Sequence, residues 1–208
     1  MKKLFIITIS ILEILIASGC AFATRIDGPY RGRVIDADTR EPIEGVVVLG
    51  VWDREYPGAG GAVHQYYDAM ETVTDKNGDF EIKGLGLLVM SNIIPMDVLI
   101  FKAGYEHIGR GSWKGIKRRG WKGDEESYDP VKNIKVHREV YDPKIKVKWE
   151  GDKAIIPLKK LTMEERRKNI PPPPPSEAPK EKVILMLKEM DKDLREQGMK
   201  PFREEGWR

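Results

Sequence analysis

No long helical repeat of apolar residues interrupts residues 30–161. This stretch holds short β-type runs separated by turn residues. Strands with no helices between them cannot build parallel β-α-β units. The sequence therefore predicts a mainly β, antiparallel sandwich. Residues 31–37 read as a first strand, closed by a turn in which Pro42 fixes φ. Residues 45–52 (GVVVLGVW) are almost wholly apolar and suit a buried strand. Gly58, Gly60 and Gly61 mark a flexible loop before a strand over 65–74. Asn77-Gly78 is the strongest hairpin signal in the chain, and Phe80 and Ile82 share one face after it. Residues 98–102, 144–149 and 154–158 supply further strands. The alternation KIKVKW puts Ile145, Val147 and Trp149 inward and lysines outward, as on a protected edge.

The N-terminus carries an address. Lys2 and Lys3 precede an apolar run over residues 4–17, broken by Ser10 and Glu13. As a helix this run covers about 21 Å, short of the roughly 30 Å hydrocarbon core, and it fits a secretory leader. Two cleavage readings remain open. Ala17-Ser18-Gly19-Cys20 resembles a bacterial lipobox, with Ala17 where Leu is usual; residues 1–19 would be removed and Cys20 would carry the lipid. Ala21-Phe22-Ala23 offers ordinary cleavage after residue 23. The lipobox is preferred because the lone cysteine directly follows Ser-Gly at the end of the apolar run. Ala21 lacks the usual inner-membrane retention signal, which implies an outer-membrane lipoprotein facing the periplasm or cell surface. A soluble periplasmic protein is the alternative. One cysteine also excludes an internal disulfide framework and a multi-cysteine metal site. With 36 Lys and Arg against 33 Asp and Glu, the balance argues against nucleic acid as the main partner.

Three parts follow the leader: a β-sandwich over 28–161, a long insertion in it near 109–141, and a helical tail over 162–208. Residues 110–148 hold 12 Lys and Arg against 6 Asp and Glu. That excess reads as a solvated loop with lysine-edged strands, or as a docking surface for acidic groups. In the tail, Thr162 to Glu165 fits a capping box, and Pro171 to Pro175 reads as a polyproline spacer. Ser176 is placed to cap the next helix, over 181–197, which Gly198 ends. Val183, Leu187, Met190 and Leu194 form a stripe on it, Met186 lies beside them, and Leu185 lies opposite. The stripe is expected against the protein's own sheet or a second copy.

One combination of residues is more specific than its parts. Gly32-Arg33-Val34-Ile35-Asp36 leads to Thr39 and then Pro42-Ile43-Glu44-Gly45-Val46-Val47-Val48; Thr74-Asp75-Lys76-Asn77-Gly78-Asp79-Phe80-Glu81-Ile82 and Gly104-Tyr105 follow. Over residues 30–108 this resembles the carboxypeptidase regulatory-like domain. The resemblance implies a transthyretin-like Greek-key sandwich of about seven strands and a non-catalytic accessory role. The insertion and the tail lie outside it.

Residues that could carry chemistry are sparse. His64, His107 and His137 are isolated, and none begins a zinc-binding spacing. Asp75 to Asp79 lacks the glycine and glutamate of a calcium loop, although Asp36, Asp38 and Asp75 could meet at one sandwich end. No activated nucleophile is evident. No catalytic residue, metal or cofactor is expected. Trp113 and Trp121, each followed by lysine in the glycine-rich insertion, are the candidate ligand-binding residues. The expected protein is a non-catalytic exported binding or scaffolding module. It would be lipid-tethered to a membrane at Cys20, with an envelope protein or polysaccharide as partner. A carbohydrate-binding module using exposed aromatics is the alternative, and a small hydrolase or metal-dependent peptidase ranks third.

Overall fold

The computed structural model describes residues 24–113, 127–129, 134–136, 147–170 and 173–202. Its strands are β1 (Thr24–Asp27), β2 (Tyr30–Asp36), β3 (Val47–Gly58), β4 (Gly61–Val73), β5 (Asp79–Ile82), β6 (Gly86–Val89), β7 (Asp97–Phe101), β8 (Ile108–Ser112), β9 (Ser127–Asp129), β10 (Ile134–Val136), β11 (Lys148–Glu150) and β12 (Lys153–Leu158). Helices α1 (Met163–Lys168) and α2 (Ile184–Glu196) follow, with a short 3-10 turn at Lys180–Lys182 between them. The chain is mainly β, with a C-terminal helix, as the alternation predicts. One four-stranded sheet has the order β11-β12-β2-β5 and the other β4-β3-β7-β8; β1-β6 and β9-β10 are two-stranded ribbons. Between the four-stranded sheets lies a core that includes Val34, Val48, Trp52, Phe80, Ile100 and Ile156.

One pairing departs from the all-antiparallel expectation. Strands β2 and β12 run parallel, from Arg31 opposite Lys153 to Asp36 opposite Leu158. Parallel neighbours need a long connection, and here the whole second sheet lies between them in the sequence. Strand β11 forms the edge of its sheet and shows Lys148 to solvent, as its lysine pattern predicts.

Turn chemistry was legible, but its destination was not. Asn77-Gly78 joins β4 to β5, which belong to different sheets, so it makes a corner instead of a hairpin. Gly78 has φ +72°, and an added Cβ would stand 2.3 Å from the Val34 carbonyl oxygen. The hairpin is β3-β4, paired without a gap from Gly58 opposite Gly61 inward, apart from a bulge after Trp52. The expected flexible loop at the glycines is therefore only a tight tip.

The first half of β3, Val47 to Asp53, is buried on both faces, and this adds a third layer. Val46, Val48 and Trp52 face the sandwich, whereas Val47, Leu49 and Val51 face away from it. On that outer face, with Leu99 and Phe101 of β7, sits the stripe of α2: Val183, Met186, Leu187 and Met190 are all buried. Each such side chain contributes roughly 1.5–3 kcal/mol on burial. Leu185 points the other way and stays partly exposed. The stripe thus covers the protein's own sheet. Ser176 does not cap the helix. Glu71 of β4 does, accepting hydrogen bonds from the amides of Leu185 (2.9 Å) and Met186 (2.7 Å). Thr162 and Glu165 form the expected capping box at α1, and Gly198 takes φ +74° after α2.

The outer face of the first sheet is laced by charge. Arg33 binds Asp79 through Nε (2.7 Å) and Nη2 (3.1 Å), and Lys153 reaches the same carboxylate at 2.7 Å. These cations bring the Asp79 pKa down to about 2, with the Arg33 hydrogen bonds the largest cause. Its unfolded counterpart titrates near about 4. A lowered folded value stabilises the fold above the unfolded pKa, and that contribution is lost as pH falls through the folded pKa. The expected melting temperature therefore drops as pH falls from about 4 to about 2. Asp79→Asn should melt lower at neutral pH and give a flatter profile in that window, checked by calorimetry. Equal slopes for the two proteins would refute the assignment.

Candidate functional site

Much of the family-like motif is used to build its own turns. The Thr74 hydroxyl accepts from the Val46 amide (2.8 Å) and donates to the Ile43 carbonyl (2.7 Å). The Asp36 carboxylate accepts from the amides of Asp38 and Thr39, and Asp75 from those of Asn77 and Asp79. Asp36 and Asp75 are therefore occupied locally. No group of three or more His, Cys, Asp or Glu side chains is placed to hold a metal among the described residues.

Trp113 is not an exposed platform. It directly follows β8, with its amide donating to the Met96 carbonyl (2.9 Å), and it is 5% exposed. Its ring stands edge-on to Tyr30, Phe80 and Trp149, with centroids 5.9, 6.1 and 5.6 Å away. The indole fills the open end of the sandwich, so it is part of the core. Trp121, Cys20 and His137 lie outside the described residues. Tyr56 and Tyr67 are the more exposed aromatics, on the β3-β4 hairpin, where the Arg54 guanidinium sits 4.3 Å above the Tyr67 ring.

The polar groups that converge lie beyond the end of α2, on the outer face of the second sheet. Along β3 that face reads Val47, Leu49, Val51 and then Asp53; along β7 it reads Phe101, Leu99 and then Asp97. Both apolar rows end in aspartate where the helix no longer covers them. Arg110 of β8 bridges the two, binding Asp53 through Nη2 and standing 3.4 Å from Asp97 through Nε. His64 and Tyr66 of β4 complete the floor, and Pro175 and Glu177 of the tail form a wall. The resulting cleft measures about 380 Å³, within the range of small-ligand sites. His64 Nε2 lies 3.2 Å from the Glu55 carboxylate. The proline run is thus not a free spacer: Pro174 is buried and Pro175 borders the cleft.

The electrostatics of this cleft follow from its partial burial. Desolvation pushes the Asp97 carboxyl up, the Arg110 charge pulls it back, and the neighbouring Asp53 raises it again. Burial pushes the Tyr66 phenol up to about 12, with Asp68 and Asp53 adding to it. Tyr66 therefore keeps its proton at neutral pH. Its hydroxyl is buried and has no hydrogen-bond partner among the described residues. Three carboxylates against one guanidinium leave the lining negative. Such a cleft suits a ligand rich in hydroxyl or ammonium donors. Among the described residues no serine, threonine, cysteine or lysine lines it.

The sequence reading missed this constellation. A usable signal was present: aspartate at the end of an apolar face on two strands. It needs the β3-β7 register, in which Val51 faces Asp97, to become visible. Comparison with protein-family models, with curated proteins and with solved structures found no match.

Proposed function

We propose that the protein is a non-catalytic, exported envelope lipoprotein, tethered at Cys20, whose sandwich serves as a binding or scaffolding module through the Asp53-Asp97-Arg110-Tyr66 cleft. The buried Tyr66 hydroxyl, without a hydrogen-bond partner among the described residues and beside an ion-paired pair of aspartates, carries this reading. A group left unsatisfied inside a fold costs stability, and a ligand that bonds to it removes that cost. The motif resembling the carboxypeptidase regulatory-like domain supports an accessory role, because Thr74, Asp36 and Asp75 are committed to turns. The partner is an envelope polysaccharide or protein offering a hydroxyl- or ammonium-bearing group of roughly sugar-ring size. A carbohydrate ligand is favoured by the negative, hydrogen-bonding lining, without the aromatic platform expected at Trp113.

Two measurements test the two halves of this reading. Intact mass of the membrane-extracted protein should show Cys20 as the lipid-bearing N-terminus, and Cys20→Ser should lose that lipid. A mature start at Thr24 without lipid would reject the tether. For the cleft, the mature protein should co-sediment with purified peptidoglycan sacculi. Tyr66→Phe should weaken that retention about threefold to tenfold, the worth of one lost hydrogen bond. It should leave the melting temperature unchanged or raised, because the deleted hydroxyl has no hydrogen-bond partner among the described residues. Undiminished retention in the variant would reject the cleft as the binding site.

A further inference from the structure

We propose that the outward face of the β1-β6 ribbon seats on the lipid bilayer and sets how the sandwich stands on its membrane. The ribbon pairs Thr24 with Val89, Arg25 with Leu88, Ile26 with Leu87 and Asp27 with Gly86. Its two faces differ sharply. The inward face is fastened to the sandwich. Asp27 is 2% exposed and accepts from Trp52 Nε1 (2.8 Å), the Tyr30 hydroxyl (2.7 Å) and the Leu85 amide (3.1 Å), while Leu88 packs on the core. Gly28 and Gly84 cross so closely at the base that a Cβ on either would overlap the other's Cα, at 2.9 and 2.8 Å. The outward face presents Thr24, Ile26, Leu87 and Val89, with Met90 next to them, and it carries no charge.

Ile26, Met90 and Leu87 are 77%, 72% and 68% exposed, the three most exposed large hydrophobic residues among those described. Ile26 and Leu87 belong to one small ribbon that is held from behind, and Met90 directly follows it. Scattered apolar side chains need no explanation, but a contiguous and uncharged cluster marks a surface that is covered in use.

The position of the ribbon in the chain identifies its cover. Only Ala21, Phe22 and Ala23 separate Cys20 from Thr24, the first residue of β1. At no more than about 3.6 Å per residue, Ile26 lies within roughly 22 Å of the lipidated cysteine, and Thr24 within roughly 14 Å. A ribbon on so short a leash is held at the bilayer surface, where apolar side chains entering the headgroup and acyl boundary add to the anchor's hold. The inference rests on the proposed tether at Cys20.

The test places the lipidated mature protein, labelled at its methyl groups, in phospholipid vesicles doped with nitroxide-bearing acyl chains. The methyl signals of Ile26, Leu87, Val89 and Met90 are expected to be lost, while those of Val63 and Met199, exposed elsewhere, persist. Ile26→Lys combined with Leu87→Glu places an opposite-charge pair across the ribbon, which preserves strand pairing. This variant should keep the remaining ribbon signals and the lipid mass on Cys20. Persistent wild-type ribbon signals in protein that carries the lipid would overturn the seating and leave the tether standing. Protein without lipid on Cys20 would overturn the tether itself. Ribbon signals that shift with protein concentration in the absence of vesicles would assign the face to a second copy and also overturn the proposal.

Discussion

Replacing Trp113 with alanine lowers the free energy of unfolding by about 3–5 kcal/mol, the usual cost of deleting a buried aromatic side chain. The indole contributes apolar burial and three edge-to-face contacts, with Tyr30, Phe80 and Trp149. Its removal leaves a space bounded by rings from β2, β5 and β11, on a sheet too tightly hydrogen-bonded to collapse into it. Trp113→Phe keeps part of the packing and should lose clearly less. Urea titrations with an unchanged slope would read the loss directly as stability. The same experiment decides between a core residue and a ligand platform. A platform tryptophan loses binding and keeps its midpoint, so a shift smaller than about 1 kcal/mol would contradict the burial seen here.

The second large effect is expected at Arg166, which ties α1 to α2. The residue is 8% exposed, and Asp193, its main partner, is 5% exposed. The guanidinium bonds to Asp193 Oδ1 through Nε (3.0 Å) and Nη2, and Nη2 also reaches Glu196 at 2.7 Å. Asp193 in turn accepts from the Gly104 amide (3.0 Å) and from Gln197 Nε2 (2.6 Å), so it fixes the turn after β7 to the helix. Arg166→Ala strands a buried carboxylate, and breaking a buried pair from one side costs about 3–5 kcal/mol. Asp193→Asn on top of it restores a neutral acceptor for Gly104 and should recover a large part of that loss. A double-mutant cycle by chemical denaturation measures the coupling. Additive losses would show that the pair does not act as a unit.

These two residues show where reading the chain stops. Met-Glu-Glu-Arg-Arg-Lys in α1 has no apolar face, and nothing in its spacing sets Arg166 apart from Arg167. Only the approach of α2 buries one of them. Trp113 sits in a glycine-rich, basic neighbourhood that reads as exposed loop, yet it directly follows a strand, β8, that returns the indole to the sandwich. By contrast, the α2 stripe was legible because Val183, Leu187, Met190 and Leu194 fall on one face whatever that face packs against.

The sequence alone determined much of what depends on neighbouring residues: the strands β2, β3, β4, β5, β7 and β12 from their apolar patterns, though not β1, β6 or β8, the capping box at Thr162, and the positive φ at Gly78, Gly104 and Gly198. These are local because a turn or a cap is made from groups a few bonds apart. The tertiary structure alone decided that β12 lies parallel to β2, that β3 is covered on both faces, and that Asp53, Asp97, Arg110 and Tyr66 share one cleft. Those outcomes join residues far apart in the chain. Many pairings would satisfy the same local patterns, and the choice among them is made by the packing of whole layers, which no short window of sequence contains.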